Sequence, residues 1–411
     1  MKEEINIKRK ISIIVAFALL LILTVGCQQS DQDIGAQGDG KIIRAEEWKD
    51  QHPDIYASFM TNAEMEETTY GGSMPVDYLE EYPNLKTFYD GYGFSKEYAR
   101  ARGHVYALED VINTSRPKGG ASCLACKTAD FNVQLENEGE GVNKISFTEF
   151  VETNPEMEGI SCYDCHRNTP GEVNITRAHL TEGLTFVEEE KPGNLACAQC
   201  HVEYYLDPET NGVVLPWHNG IDTDGMLEYY DEINFRDYEH PTTGAQILKA
   251  QHSEFETFTG SIHDAQGLTC IDCHMPRIEG EENLKSHHWT SPLLSEEGIK
   301  QSCIPCHGGE PEAIITRVEK VQESVYNKTN EVSDELLDYI NRLAKAIEDG
   351  DVPDEVIEQL RDIHRNAQFK WDFVFVENGE GFHNSQKAHE NLDDARELIA
   401  EGTAILEGYG E

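Results

Sequence analysis

Three features of the 411-residue chain predict a mainly α-helical fold. Apolar side chains recur at helical spacing over three long stretches near the C-terminus, about 311–349, 353–377 and 386–408, as in Leu336, Leu337, Ile340, Leu343, Ala344 and Ile347. No region is rich in strand signals. From about 46 to 310 the chain is cut into short segments by turn signals, among them Gly71-Gly72, Pro117 to Gly120, Pro208 to Gly212 and Asn219-Gly220.

The first element is a processing signal. Lys2, Lys8, Arg9 and Lys10 precede an apolar run from Ile11 to Val25, too short for a comfortable membrane span. The run ends in Gly26-Cys27, which resembles a bacterial lipobox with Cys27 as the lipidated residue. Residues 1–26 are therefore expected to be a lipoprotein signal peptide, with an uncleaved anchor helix as the alternative. Either places the rest outside the cytoplasmic membrane, at the cell surface or in the periplasm. Residues 27–45 begin with a Gln-, Asp- and Gly-rich stretch without apolar periodicity and read as a flexible tether.

The formal net charge is −44, spread along the chain. Such a surface repels nucleic acid and anionic head groups, which excludes DNA or RNA as a partner.

Besides Cys27, ten cysteines fall into five C-x-x-C pairs: Cys123/Cys126, Cys162/Cys165, Cys197/Cys200, Cys270/Cys273 and Cys303/Cys306. In four pairs a histidine follows at once: His166, His201, His274 and His307. C-x-x-C-H is the attachment signature of c-type haem. The thiols add to the two vinyl groups, and the adjacent imidazole lies under the iron. Zinc sites or disulfides would use the cysteines but leave four adjacent histidines unexplained.

The first pair reads Cys-Leu-Ala-Cys-Lys, so Lys127 stands where histidine is expected. A haemless, degenerate site is one reading. The other is an amine ligand, which must shed its proton to bind iron. Axial-ligand identity governs haem reactivity, so one unusual ligand among five suggests division of labour.

Twelve further histidines can supply distal ligands, and the spacing alone does not pair them. Methionine is scarce, which favours bis-histidine over His/Met ligation. Residues 46–310 are thus expected to form a compact domain whose core is filled by five haems, with all ten cysteines in it. Residues 311–411 are expected to form long amphipathic helices that need a partner face, either the haem domain or a second subunit.

Together, one C-x-x-C-K before four C-x-x-C-H, Cys197 to Tyr205 (Cys-Ala-Gln-Cys-His-Val-Glu-Tyr-Tyr), Leu248 to His252 (Leu-Lys-Ala-Gln-His) and Cys270 to Pro276 (Cys-Ile-Asp-Cys-His-Met-Pro) resemble the pentahaem cytochrome c nitrite reductases that form ammonium. The resemblance runs from about residue 50 to 405. It implies six-electron reduction of nitrite at the Lys127 haem, fed by four bis-histidine haems. It implies Arg116, Tyr204 and His252 in the distal pocket, with His252 protonated, and a calcium ion held by Glu203, Gln251 and the backbone oxygens of Tyr204 and Lys249. Distal ligands would be His104, His263, His287 and His383, with His288 the neighbouring alternative to His287. It further implies a homodimer through the last long helix and a membrane quinol dehydrogenase cytochrome, or another donor, as electron source. The segment between Arg116 and Cys123 is shorter than in enterobacterial members. Competing readings are an electron-transfer cytochrome with a sealed Lys127 haem, or a multihaem enzyme acting on hydroxylamine or sulfur oxyanions.

Overall fold

The computed structural model describes residues 41–410 apart from 188, 189, 279 and 282. The signal peptide, Cys27 and most of the tether lie outside the described residues. The fold is mainly α. The strands among the described residues are two two-residue hairpins, Tyr205–Leu206 with Val213–Val214 and Tyr238–Glu239 with Gln246–Ile247, both antiparallel.

Three long helices dominate, at Pro311–Asp349, Asp354–Phe375 and Ser385–Gly408, close to the boundaries expected from periodicity. The first begins with Pro311, whose missing N–H costs nothing at that position. It ends at Gly350 in the left-handed conformation (φ 71°), whose N–H bonds Ala346 O. Its buried side chains include Val318, Gln322, Val325, Thr329, Val332, Leu336, Tyr339, Leu343 and Ala346, alternating by three and four residues. That is a seven-residue seam, the pattern of helices packed nearly antiparallel. Each pair of the three helices is in contact. Tyr339 joins all three: its hydroxyl donates to Leu360 O at 2.7 Å, and a Cβ on Gly402 would come within 2.5 Å of its ring.

The long helices do not stand apart from the earlier segments. Leu79, Leu85, Phe88 and Ile247 share one core with Leu336, Leu360 and Leu392. Phe369, Phe373 and Val376 complete a second core with Leu180, Trp217, Leu248 and Phe255. The middle helix thereby braces the segment from Leu248 to Phe255, on which Gln251 and His252 sit.

Candidate haem and substrate site

Each C-x-x-C motif is built as a turn of helix, for reasons visible in its own residues. In Cys162–His166 and Cys270–His274 the third residue is an aspartate that caps the helix. Ser161 N donates to Asp164 at 2.7 Å and Thr269 N to Asp272 at 2.9 Å. In the other two histidine motifs the ligand N–H bonds the first cysteine's carbonyl, His201 to Cys197 and His307 to Cys303, each at 3.0 Å. One turn of helix thus places the imidazole on the same side as the first thiol. None of the ten cysteines is joined to another.

The ten cysteines are not equally buried. Nine of the ten are half-buried, but Cys306 is exposed. The reason is its place in the chain. Its short helix, Ile304–His307, runs straight into Gly308-Gly309, and every residue from Pro305 to Glu310 is exposed. Only Cys303 and Ile304 turn inward, onto a small apolar cluster with Ile299, Ile314 and Val318. The fifth motif is therefore a surface motif. Attachment does not need a buried thiol, because an accessible one reaches a vinyl group equally well.

The other motifs lie side by side in the interior. Cys126 is within hydrogen-bonding reach of Cys200, and Cys197 of Cys270. Arg177, 1 % exposed, ties two of them together. It donates to Ala125 O at 3.2 Å inside the lysine motif and to Asp164 at 2.5 Å inside the second motif. Gln199, inside the third, donates to Asp164 O at 3.1 Å.

Each motif histidine lies ring to ring with a histidine from elsewhere in the chain, and His201 with two, His104 and His252, of which the family resemblance assigns His104 as its partner. Ring centres are 6.1 Å apart for His166 and His287, 5.8 Å for His201 and His104, 6.1 Å for His274 and His383, and 6.2 Å for His307 and His263. Two metal–imidazole bonds of about 2 Å plus the two ring radii leave roughly 6 Å between ring centres, so each gap fits one iron. Nδ1 of His166 lies 2.7 Å from Glu172 O, that of His274 3.0 Å from Thr290 O, and that of His287 3.0 Å from Lys285 O. Those carbonyls accept a hydrogen bond from Nδ1–H, which fixes the proton there and leaves the Nε2 lone pair for a metal. His288 turns instead toward Glu66, 3.9 Å away. The other histidines are engaged differently: His179 with Gln199 O, His218 stacked on Tyr229, and His240 against His364.

Lys127 has no facing imidazole pair of its own among the described residues. Its N–H bonds Leu124 O, and its ammonium is an electrostatic neighbour of His104 and His252. Tyr204 borders the Cys123/Cys126 pair, and burial holds its hydroxyl well above the ordinary tyrosine range, so it stays protonated. His252 stands 5.7 Å, ring to ring, from His201. Burial pushes its pKa down, and Glu254, 3.8 Å from Nδ1, pulls the other way. Arg116 is half-buried, with its guanidinium 4.1 Å over the Phe94 ring and Nε donating to Thr114. The same ring carries the Lys249 ammonium at 5.2 Å.

The residues expected at calcium also converge. Glu203 accepts from Gln251 N at 2.6 Å and from Tyr230 at 3.1 Å, and the Gln251 side chain reaches Lys249 O at 2.9 Å. Lys249 turns its own ammonium away, to Asp372 at 3.2 Å. Two buried carboxylates, Glu203 and Glu256, and the half-buried Asp237 crowd this spot. Glu203 is raised well above the carboxylate range, mainly by burial and also by Glu256 and Asp237, while burial pushes Glu256 up to about 8 and Asp237 up to about 6. Hard oxygen donors around excess negative charge fit a calcium ion.

Glu254, Glu256, Asp237, Asp372 and Glu377 were not singled out from the sequence. Glu254 lies two residues after His252 in Ser-Glu-Phe-Glu-Thr, yet only the fold sets it 3.4 Å from His201.

A family model for cytochrome c552 matches residues 44–408. The chain is 34% identical to the cytochrome c nitrite reductase subunit NrfA of Nitratidesulfovibrio vulgaris, over 91% of this chain and 81% of that one. It is 31% identical to cytochrome c-552 of Bacteroides thetaiotaomicron, over 97% and 86% respectively. Among solved structures, the cytochrome c nitrite reductase of Desulfovibrio desulfuricans, whose catalytic subunit has two calcium sites, superposes with a TM-score of 0.81 at 27% identity, over 90% of this chain and 87% of that one.

Proposed function

The chain belongs to the cytochrome c552 family, and from that premise we infer that it is an ammonia-forming cytochrome c nitrite reductase, an oxidoreductase with five covalently attached haems and calcium. The observation that carries the reading is the asymmetry of the ligands: four motif histidines each face a second histidine at 5.8 to 6.2 Å, and the fifth motif offers Lys127 beside Tyr204 and His252. Reduction of nitrite to ammonium takes six electrons and eight protons and releases two waters. The haems, when bound, supply the iron that takes nitrite and the electrons that reduce it.

The chain's own residues bind, orient and protonate. Lys127 would hold the haem iron through its amine, and the iron would take nitrite. Tyr204, held protonated, donates from its hydroxyl toward an oxygen of the substrate. His252 takes up and passes a proton at Nε2, while Glu254 beside Nδ1 stabilises the imidazolium as it forms. Arg116 supplies a fixed positive charge at the pocket edge for an anionic substrate, restrained by Phe94. Glu203, Gln251 and the carbonyls of Tyr204 and Lys249 hold calcium. Calcium held there would offset the charge of the local carboxylates and restrain Tyr204 through its backbone oxygen.

Nitrite and an electron donor, such as a quinol-oxidising membrane cytochrome, are the partners. We also propose that the chain works outside the cytoplasmic membrane and is lipid-anchored through Cys27. Residues 46–310 are proposed as the haem-bearing region, with 311–411 packed on it and forming a dimer contact. Mass spectrometry of the purified N-terminal peptide tests the anchor: an unmodified or internal Cys27 would refute it. A monomer at micromolar concentration would refute the dimer.

The function is tested with reduced viologen as donor, nitrite as acceptor and quantified ammonium, for wild type and Lys127→His. Stoichiometric ammonium that falls sharply in the variant places the chemistry at the lysine motif. No turnover by protein with five haems confirmed by mass would instead favour an electron-relay cytochrome.

A further inference from the structure

The imidazoles that face one another across the haem positions are not held alike. His166, His274 and His287 turn Nδ1 to neutral main-chain carbonyls. His383 turns Nδ1 to the carboxylate of Glu377 and hydrogen-bonds it directly. Glu377 is 2 % exposed, so water does not screen its charge. Its partners besides the ring are the N–H groups of Gly379 and Gly381, each at 2.8 Å. The loop is built around this contact. A Cβ at Gly379 would come within 2.7 Å of both Glu377 Oε1 and His383 Nδ1, and Gly381 needs a positive φ of 77°. The opposite pole of the set is His307, whose Nδ1 lies 3.2 Å from the Arg317 guanidinium. His201 has a carboxylate nearby as well, but Glu254 stands 3.4 Å away and also serves Asn378.

An imidazole whose Nδ1 proton is shared with a carboxylate carries more charge on Nε2 and is a stronger donor to a metal. A stronger axial donor stabilises the ferric state and lowers the reduction potential. A carbonyl does the same more weakly, because it is neutral. We propose that Glu377 is a positioning residue that gives the haem between His274 and His383 the lowest potential of the four histidine-paired haems. Its motif lies between the surface motif of Cys303 and Cys306 and the Cys197/Cys200 motif, which borders the lysine motif. Electrons crossing from one to the other therefore pass an uphill step, which Glu377 sets. The inference rests on the haem assignment of the preceding section.

The test is a potentiometric titration of the purified holoprotein, followed by electron paramagnetic resonance, for wild type, Glu377→Gln and Glu377→Asp. Glutamine keeps the shape and an oxygen acceptor but removes the charge. In wild type, one low-spin species is expected with smaller g-anisotropy than the rest, titrating last. In Glu377→Gln that species should move to higher potential and take on the g-values of the others, while the remaining steps stay in place. Glu377→Asp, with a shorter reach, should move the same species in the same direction by less; it decides the matter if the glutamine variant fails to load five haems. A lowest step that does not move, or all steps moving together, overturns the inference. If five haems are present by mass and nitrite is still reduced, that result leaves the proposed function standing and removes only the role of Glu377.

Discussion

The ammonium of Lys249 and the carboxylate of Asp372 meet at 3.2 Å with both side chains almost fully buried. Asp372 also accepts from Ala250 N at 3.0 Å and from the Tyr89 hydroxyl at 2.5 Å. The middle long helix thereby grips the segment that carries Gln251 and His252. Burial lowers the Lys249 pKa and raises that of Asp372, and their attraction opposes both shifts.

Breaking such a pair leaves one charge buried and uncompensated, at about 3–5 kcal/mol. Asp372→Asn should therefore lose on the order of that stability in chemical denaturation, and Lys249→Met a similar amount. The double replacement should recover a large part of the loss. If the double variant is as unstable as the sum of the singles, the two charges are not coupled as described.

The facing rings distinguish two adjacent histidines. His287→Ala should open one six-coordinate haem, adding a high-spin signal to the visible and electron paramagnetic resonance spectra. His288→Ala should leave the spectrum unchanged, because that ring points to Glu66. The reverse pattern would reassign the ligand.

Calcium sensitivity should follow Glu203. Chelation of the wild type should depress nitrite reduction without releasing haem, since the thioether bonds are covalent. Glu203→Gln should start with low activity and respond little to chelator or added calcium, because it lacks one charged oxygen ligand. Full activity in Glu203→Gln, with ordinary calcium dependence, would move the ion elsewhere.

Acid should weaken the fold through His364. That residue is fully buried, bonded to Thr243 and Gln368 and set 5.1 Å from His240. Burial, and then the neighbouring His240, pushes its pKa down to about 3. An unfolded histidine titrates near 6.5. The folded state thus binds the proton less tightly, so stability is complete above about pH 6.5 and falls as the pH drops toward 3. The loss at pH 5 is about 2 kcal/mol from this one residue. His364→Gln should flatten the change in unfolding midpoint between pH 7 and 5. Equal losses in variant and wild type would show that other groups set the acid limit.

Much of this protein was legible in one dimension, because its chemistry is written in short local motifs. Five C-x-x-C pairs, four followed by histidine and one by lysine, determine how many haems attach and which of them differs. Helical periodicity located the three long helices to within a few residues, since the apolar stripe and the Pro311 and Gly350 boundaries are local signals. Resemblance to a family added the distal ligands, the pocket residues and the calcium set. The tertiary structure decided which imidazole faces which, because partners such as His104 and His201 lie almost a hundred residues apart and no spacing rule joins them. It alone turned His288 away, left Cys306 at the surface while its nine counterparts are half-buried, and set the carboxylates of Glu254 and Glu377 beside His201 and His383. It also paired Lys249 with Asp372, and it placed Arg116 against Phe94. Those contacts depend on burial and loop closure between distant segments, and a sequence states the identity of a charged residue without stating which charge it will meet in the interior.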